Sequence, residues 1–209
     1  MSVSEPGIPC RGYHHGDLRR CLVEAARGLL VERGVTGFSL REVARRAGVS
    51  PRAPYHHFPD RTSLLREVAR CGFSELAGRM AARMEIADPV ERLAALGLEY
   101  VRFATECPAE FQTMHCDELC DDASFPDRAE VADPPFLYLL RTLEEIAGKP
   151  VPAEELERYG LVAWSAVHGL VALRAEGVLA ASFRDEPLDD VVKDAVRRTS
   201  ELLVSTLRR

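Results

Sequence analysis

Hydrophobic positions recur along this chain at intervals of three and four rather than two, a pattern that predicts helices throughout and no strand. Leu18, Cys21, Leu22, Ala25, Ala26, Leu29 and Leu30 follow the helical template from Asp17, a cap, until Gly34 ends the run. A second helix is expected to start at Leu40. Ser39 and Glu42 form a capping box, each side chain satisfying the other residue's free backbone N–H, and Phe38 with Val43 occupy the positions of a hydrophobic staple. Leu40, Val43, Ala44 and Ala47 share one side of this helix, Arg41, Arg45 and Arg46 the other, and Gly48 stops it. Ser50 is a further N-cap, and Pro51 takes the first helical position, where a missing N–H costs nothing. Two short helices joined by a glycine-containing turn make a helix-turn-helix, whose second helix enters the DNA major groove.

Asp60 caps the next predicted helix, from Arg61 to about Met84, with Leu64, Leu65, Val68, Phe73, Leu76, Ala77 and Met80 as its apolar positions. Beyond Asp88 the predicted helices are Pro89 to Thr105, Pro108 to about Cys116, Pro134 to Ala147, Pro152 to Glu176 and Pro187 to Leu207, with prolines at or near the first turn. An acidic, turn-rich loop lies between Cys116 and Asp133. The fold class is therefore all-α: a three-helix N-terminal helix-turn-helix domain followed by a helical bundle. The domain boundaries are expected at 1–15 for a polar, disordered tail holding Arg11, His14 and His15, at 16–62 for the DNA-binding head and at 63–209 for the body.

Charge sharpens this division. The chain of 209 residues is 46% apolar and 29% charged, with a net charge of −6. Residues 1 to 66 hold eleven Arg against six acids, whereas residues 67 to 209 hold sixteen Lys and Arg against twenty-seven acids. A basic head on an acidic body is the electrostatic footprint of a DNA-binding module carried by something that does not touch DNA. Six cysteines show no disulfide-framework spacing, nothing resembles a signal peptide, and no apolar run nears the length of a membrane span. A cytoplasmic protein with reduced thiols and no membrane partner is expected.

The second helix of the helix-turn-helix offers Arg52, Tyr55, His56 and His57 with almost no apolar face of its own. Here the sequence resembles the TetR family of bacterial transcriptional regulators through the run Val49, Ser50, Tyr55, His57, Phe58, Arg61, Leu64 and Leu65. It departs from that family at Pro54, where a leucine is usual, and at Arg61, where a lysine is usual. Pro54 removes a backbone donor in the first turn and pushes Ala53 away from the α region, so a late or distorted recognition helix is expected. Arg61 keeps the positive charge but spreads it over a planar fork. The segment 163–177, AWSAVHGLVALRAEG, resembles the Trp-His-Gly motif of one C-terminal subgroup of the same family.

The resemblance implies a homodimer that binds operator DNA through Ser39, Arg41, Ser50, Arg52, Ala53, Tyr55, His56, His57 and Arg61. Its body houses a small-molecule effector, and a shift along the helix from Arg61 reports that effector to the DNA. The lining candidates are Phe103, Phe111, Met114, Phe136, Leu140, Trp164 and His168; each taken singly reads first as core filling, and the resemblance favours the pocket as a whole. The reading is a repressor released by a small apolar molecule, dimerising through the helices that begin near Pro152 and Pro187, with Leu203 and the small-residue track of Ser165 and Gly169 at the seam. Two other functions compete with it. One is a ligand-blind architectural DNA-binding protein, and the other a metal- or thiol-responsive regulator using His115, Cys116 and Cys120, whose spacing matches no standard metal signature. No Gly-rich phosphate loop or paired-carboxylate motif is present, so neither enzyme activity nor a cofactor or metal is expected.

Overall fold

A computed structural model describes residues 15–116, 119 and 128–208, and every element among them is a helix. They are α1 (His15–Arg33), α2 (Leu40–Arg46), a 3-10 turn (Ala53–His56), α3 (Arg61–Ala81), α4 (Pro89–Glu106), α5 (Pro108–Met114), α6 (Arg128–Ala147), α7 (Ala153–Ala175), α8 (Val178–Ser182) and α9 (Leu188–Leu207). The proposed tail up to His14, together with Cys120 and most of the acidic loop, lies outside the described residues.

Two compact units result. The first takes the chain up to Gly72 and adds α5; the second takes the chain from Phe73 to Glu106 and everything from α6 onward, so the boundary falls inside α3. In the first unit Leu22, Ala26, Leu29 and Leu30 of α1 are lost from solvent, as are Val43 and Ala44 of α2 and Leu64, Leu65 and Val68 of α3. These are the apolar positions of three amphipathic helices, so the helical period alone directs them into one core. Truncating any of the leucines to alanine should cost about 2–5 kcal/mol. Helix α5 also packs on α1, and Arg27 Nε stands 2.5 Å from Glu110 Oε1 across that contact.

In the second unit α4 packs against α6, α7 and α9. Leu93, Leu143, Ile146, Leu156, Val204 and Leu207 form one core cluster, and Val101, Leu179, Val192 and Val196 form another. Helices α6 and α7 approach closely because Gly160 carries no side chain: a Cβ there would lie 2.6 Å from Leu140 Cδ2 and 3.0 Å from Phe136 Cζ.

Two elements differ from the expectation, and a third is distorted as Pro54 foretold. Helix α6 begins at Arg128, and Pro134 and Pro135 lie inside it rather than at its start. Each proline removes one ladder donor, but flanking turns carry the helix across them. Helix α8 follows Gly177, whose φ of 75° ends α7. The second helix of the helix-turn-helix is reduced to the 3-10 turn. Cys71, Cys107 and Cys116 are thiols, whereas Cys21 is disulfide-bonded, contrary to the expectation of thiols reduced throughout.

Candidate nucleic-acid interface and effector-domain residues

The capping box forms as expected. Ser39 N–H donates to Glu42 Oε2 at 2.9 Å, and Glu42 N–H donates to Ser39 Oγ at 3.4 Å. Hydrogen bonds from Arg33 and Ser39 hold the Glu42 carboxyl below the usual carboxylate range. Phe38 and Val43 are both buried, and Gly48 has φ 71°, which lets the chain leave α2 directly.

Pro54 shapes the recognition element. An α-helix from Pro51 would need the N–H of residue 54 to bond the Ser50 carbonyl, and proline has none. Instead Ala53 N–H donates to Ser50 O at 3.0 Å and Tyr55 N–H to Arg52 O at 3.2 Å, both in the tighter i to i+3 register. The turn closes when His57 and Phe58 N–H both donate to Pro54 O, at 2.9 and 2.8 Å. Pro54 and Phe58 are buried beneath it, and Ser50, Arg52, Tyr55 and His56 are left exposed, Tyr55 with 51% of its surface accessible. Ala53 is half-buried. His57, assigned to the reading face, is half-buried with its ring centroid 6.5 Å from that of Phe58.

Arg61 is committed within its own unit: its guanidinium donates to the Val35 carbonyl and stands over the Phe38 ring, 5.6 Å from the centroid. The start of α3 is also less inviting to phosphate than expected. Ser63 N–H donates to Asp60 Oδ1 at 2.7 Å, and this backbone hydrogen bond holds the Asp60 carboxyl below its ordinary range, so a carboxylate stands where an anion would bind.

The proposed effector residues fall in different units. Phe111 and Met114 lie on α5, in the first unit, where Phe111 stacks on His115 at 4.7 Å between centroids and Met114 is buried. Phe103, Phe136, Leu140, Trp164 and His168 belong to the second. Phe103 is fully buried with the Arg79 guanidinium 5.6 Å over its ring. Phe136 lies 6.1 Å from Trp164, centroid to centroid.

Tyr100, which the sequence pattern did not single out, connects Trp164 and His168. Trp164 Nε1–H donates to Tyr100 Oη at 2.9 Å, and Tyr100 Oη lies 2.9 Å from His168 Nδ1. An indole N–H only donates, so the Tyr100 hydroxyl accepts from Trp164 and has its own proton and a second lone pair with which to meet His168 Nδ1. Burial pushes the Tyr100 hydroxyl well above the usual phenol range, which keeps it a donor. The signal for Tyr100 in the sequence was its position on α4, one turn before Phe103.

His115 Nδ1 is 2.9 Å from the Phe111 carbonyl, an interaction within its own helix turn. Among the described residues no group of three or more His, Cys, Asp or Glu is placed to hold a metal ion.

The second unit carries an exposed apolar face. Leu161, Ser165, Gly169 and Leu173 follow one another at intervals of four along α7, beside Val162; Leu161 and Val162 are 55% and 56% exposed, and a Cβ on Gly169 would meet nothing within 4 Å. On α9 Leu202 is 69% exposed, while Leu203, expected at the dimer seam, is 7% exposed and belongs to the protomer's own core. Thr199 and Thr206 turn their hydroxyls back to the carbonyls of Ala195 and Leu202, at 2.9 and 3.0 Å.

Residues 22–68 match the bacterial regulatory proteins of the tetR family, and residues 93–199 match the family described as tetracyclin repressor-like, C-terminal domain. The chain is 35% identical over 79 residues to the HTH-type transcriptional regulator BetI of Rhizobium meliloti (strain 1021), an alignment that covers 37% of this chain and 39% of that protein. Among solved structures, a protein with unknown function from Rhodococcus sp. RHA1 superposes with a TM-score of 0.77 at 32% identity, covering 95% of this chain and all of that one. The TetR family transcriptional regulator PfmR from Thermus thermophilus shares the fold, with a TM-score of 0.64 at 20% identity over 88% of this chain and 97% of its own. Among the described residues no helix is long and apolar enough to cross a membrane.

Proposed function

Because the chain belongs to the TetR family of bacterial regulatory proteins, we propose that it is a cytoplasmic, homodimeric transcriptional repressor that binds operator DNA and releases it when a small apolar molecule enters its second unit. The observation that carries the DNA half is the sorting of side chains on the 3-10 turn. Its apolar members Pro54 and Phe58 are buried, and Ser50, Arg52, Tyr55 and His56 project from an unusually short element into solvent. These four, with Arg41, are the proposed reading and phosphate-contacting set; Ser39, Ala53, His57 and Arg61 support it from behind. The effector is assigned to the neighbourhood of Phe136, Leu140, Trp164 and His168, where the Tyr100 hydroxyl and the imidazole supply hydrogen bonds within an apolar surround. Phe103, Phe111 and Met114 act as packing, each within its own unit.

Footprinting the purified protein across its genome tests the reading and returns the operator. On that operator, Arg52→Ala is expected to relax preference at one base pair of each half-site, at about 1–3 kcal/mol if the contact is bidentate. Wild-type affinity and preference in this variant would remove Arg52 from the reading face.

Trp164 is the only tryptophan, so its emission reports one place. A cognate effector should shift or quench that emission with the same midpoint as its loss of DNA affinity, because linkage requires the ligand to favour the form that binds DNA less well. An effector that releases DNA while Trp164 emission stays constant would place the site elsewhere. A ligand-blind architectural protein would show no effector-dependent affinity at all.

A further inference from the structure

Among the arginines of the first unit, two groups stand apart. Arg19 and Arg70 hold Glu67, Arg27 holds Glu24 and Glu110, Arg33 holds Glu42, and Arg46 holds Glu32 at 2.6 Å. Arg41, Arg45 and Arg52 are exposed and, among the described residues, hold no carboxylate. Arg41 and Arg45 are four apart on α2, so they stand one turn above the other on the side opposite the buried Leu40, Val43 and Ala44. Arg45 also accepts the Gly48 N–H on its carbonyl at 3.3 Å, which puts it at the mouth of the turn leading to Arg52.

An uncompensated guanidinium on a helix that crosses the DNA backbone is where counterion release would come from, whereas a paired one has already given up much of its attraction for phosphate. The competing role for Arg45 is to favour the negative end of the α2 dipole, but its neighbour Arg46 does that too while spending its charge on Glu32. We propose that Arg45, together with Arg41, contacts the DNA phosphates, and that Arg46 does not; this rests on the DNA-binding reading above. The contact is sequence-independent and fixes the register in which Arg52, Tyr55 and His56 meet the bases.

The test measures binding of the full-length dimer to a mixed-sequence DNA duplex by fluorescence anisotropy across a salt series. Arg45→Gln is expected to flatten the log–log salt slope by about 0.9 for each contact removed, or about 1.8 in a dimer. Arg45→Lys, which keeps the charge, should restore most of it, and Arg46→Gln should leave it as in the wild type. Equal slopes for Arg45→Gln and wild type would overturn the assignment, as would an equal flattening by Arg46→Gln. A wild-type protein with no salt-dependent affinity for any duplex would instead overturn the DNA-binding reading itself. Thermal melting separates folding from contact: an Arg45→Gln slope change accompanied by a lowered melting midpoint that Arg45→Lys fails to rescue also counts against the proposal.

Discussion

Leu202→Glu is expected to yield a folded monomer that no longer holds operator DNA, and the adjacent Leu203→Glu to yield no folded protein. Leu203 is 7% exposed, so a glutamate there must bury a carboxylate without a partner and abandon a packed leucine. Leucine truncation alone costs about 2–5 kcal/mol, and an unpaired charge adds to it, against a total stability of about 5–15 kcal/mol for a domain. Leu202 is 69% exposed and contributes nothing to its own protomer's core. It fits the proposed seam together with Leu161, Val162, Gly169 and Leu173 of α7, a face with a small-residue track that lets a second copy approach closely. Two heads held together gain about 10²- to 10⁴-fold in apparent affinity over one. Analytical ultracentrifugation, circular dichroism and operator binding would be read on both variants. A dimeric Leu202→Glu protein with wild-type operator affinity would put the seam on another face.

That pair of leucines also shows where the sequence stops being legible. Period alone places both on the inner half of an amphipathic α9, and only the packing of α9 against α4, α6 and α7 decides which one the protomer keeps for itself. Features set by nearest neighbours were readable: the reciprocal Ser39–Glu42 hydrogen bonds, the positive φ of Gly48, and the distortion that Pro54 imposes on the recognition element. A local rule failed at Pro134, where a proline that usually opens a helix sits within one. Long-range pairing was invisible. Nothing in the sequence separates Arg45 from Arg46 until Glu32, fourteen residues before the latter, is found beside it. Likewise Arg61 reads as a phosphate ligand until the Val35 carbonyl and the Phe38 ring are seen beneath its guanidinium. The membership of α5 in the first unit comes from its packing on α1, where Arg27 meets Glu110, again out of reach of any local pattern.

Acidification is expected to weaken the first unit, most of all through Glu67, whose carboxyl is held further below its ordinary range than those of Glu42 and Asp60. This carboxylate is 8% exposed and receives Arg70 Nε at 2.9 Å and Arg70 Nη2 at 2.8 Å, with Arg19 Nη1 on its other side. Burial pushes its pKa up, but the hydrogen bonds from Arg70 and Arg19 outweigh that and hold it at about 2, below the ordinary 4.5. A carboxylate whose pKa is lower in the folded than in the unfolded state stabilises the fold fully above the unfolded value. That contribution is lost as the pH falls from 4.5 to about 2, the window in which the unfolded chain takes up a proton that the folded one resists. At about 1.36 kcal/mol per pH unit the contribution is at most about 3 kcal/mol, reduced by water's screening of the half-exposed Arg19 and Arg70. Arg19 also stands over the Phe58 ring, 5.3 Å from its centroid, so loosening it frees the floor of the recognition turn. Urea unfolding of the wild type and Glu67→Gln is the measurement. The variant should be less stable at neutral pH, with the gap narrowing as the solution is acidified through this window, because protonation removes from the wild type the charge that the substitution has already removed. A glutamine side chain cannot titrate, so two stability curves that stay parallel down to acid unfolding would mean that Glu67 has no depressed pKa and that its two arginines are held by packing alone.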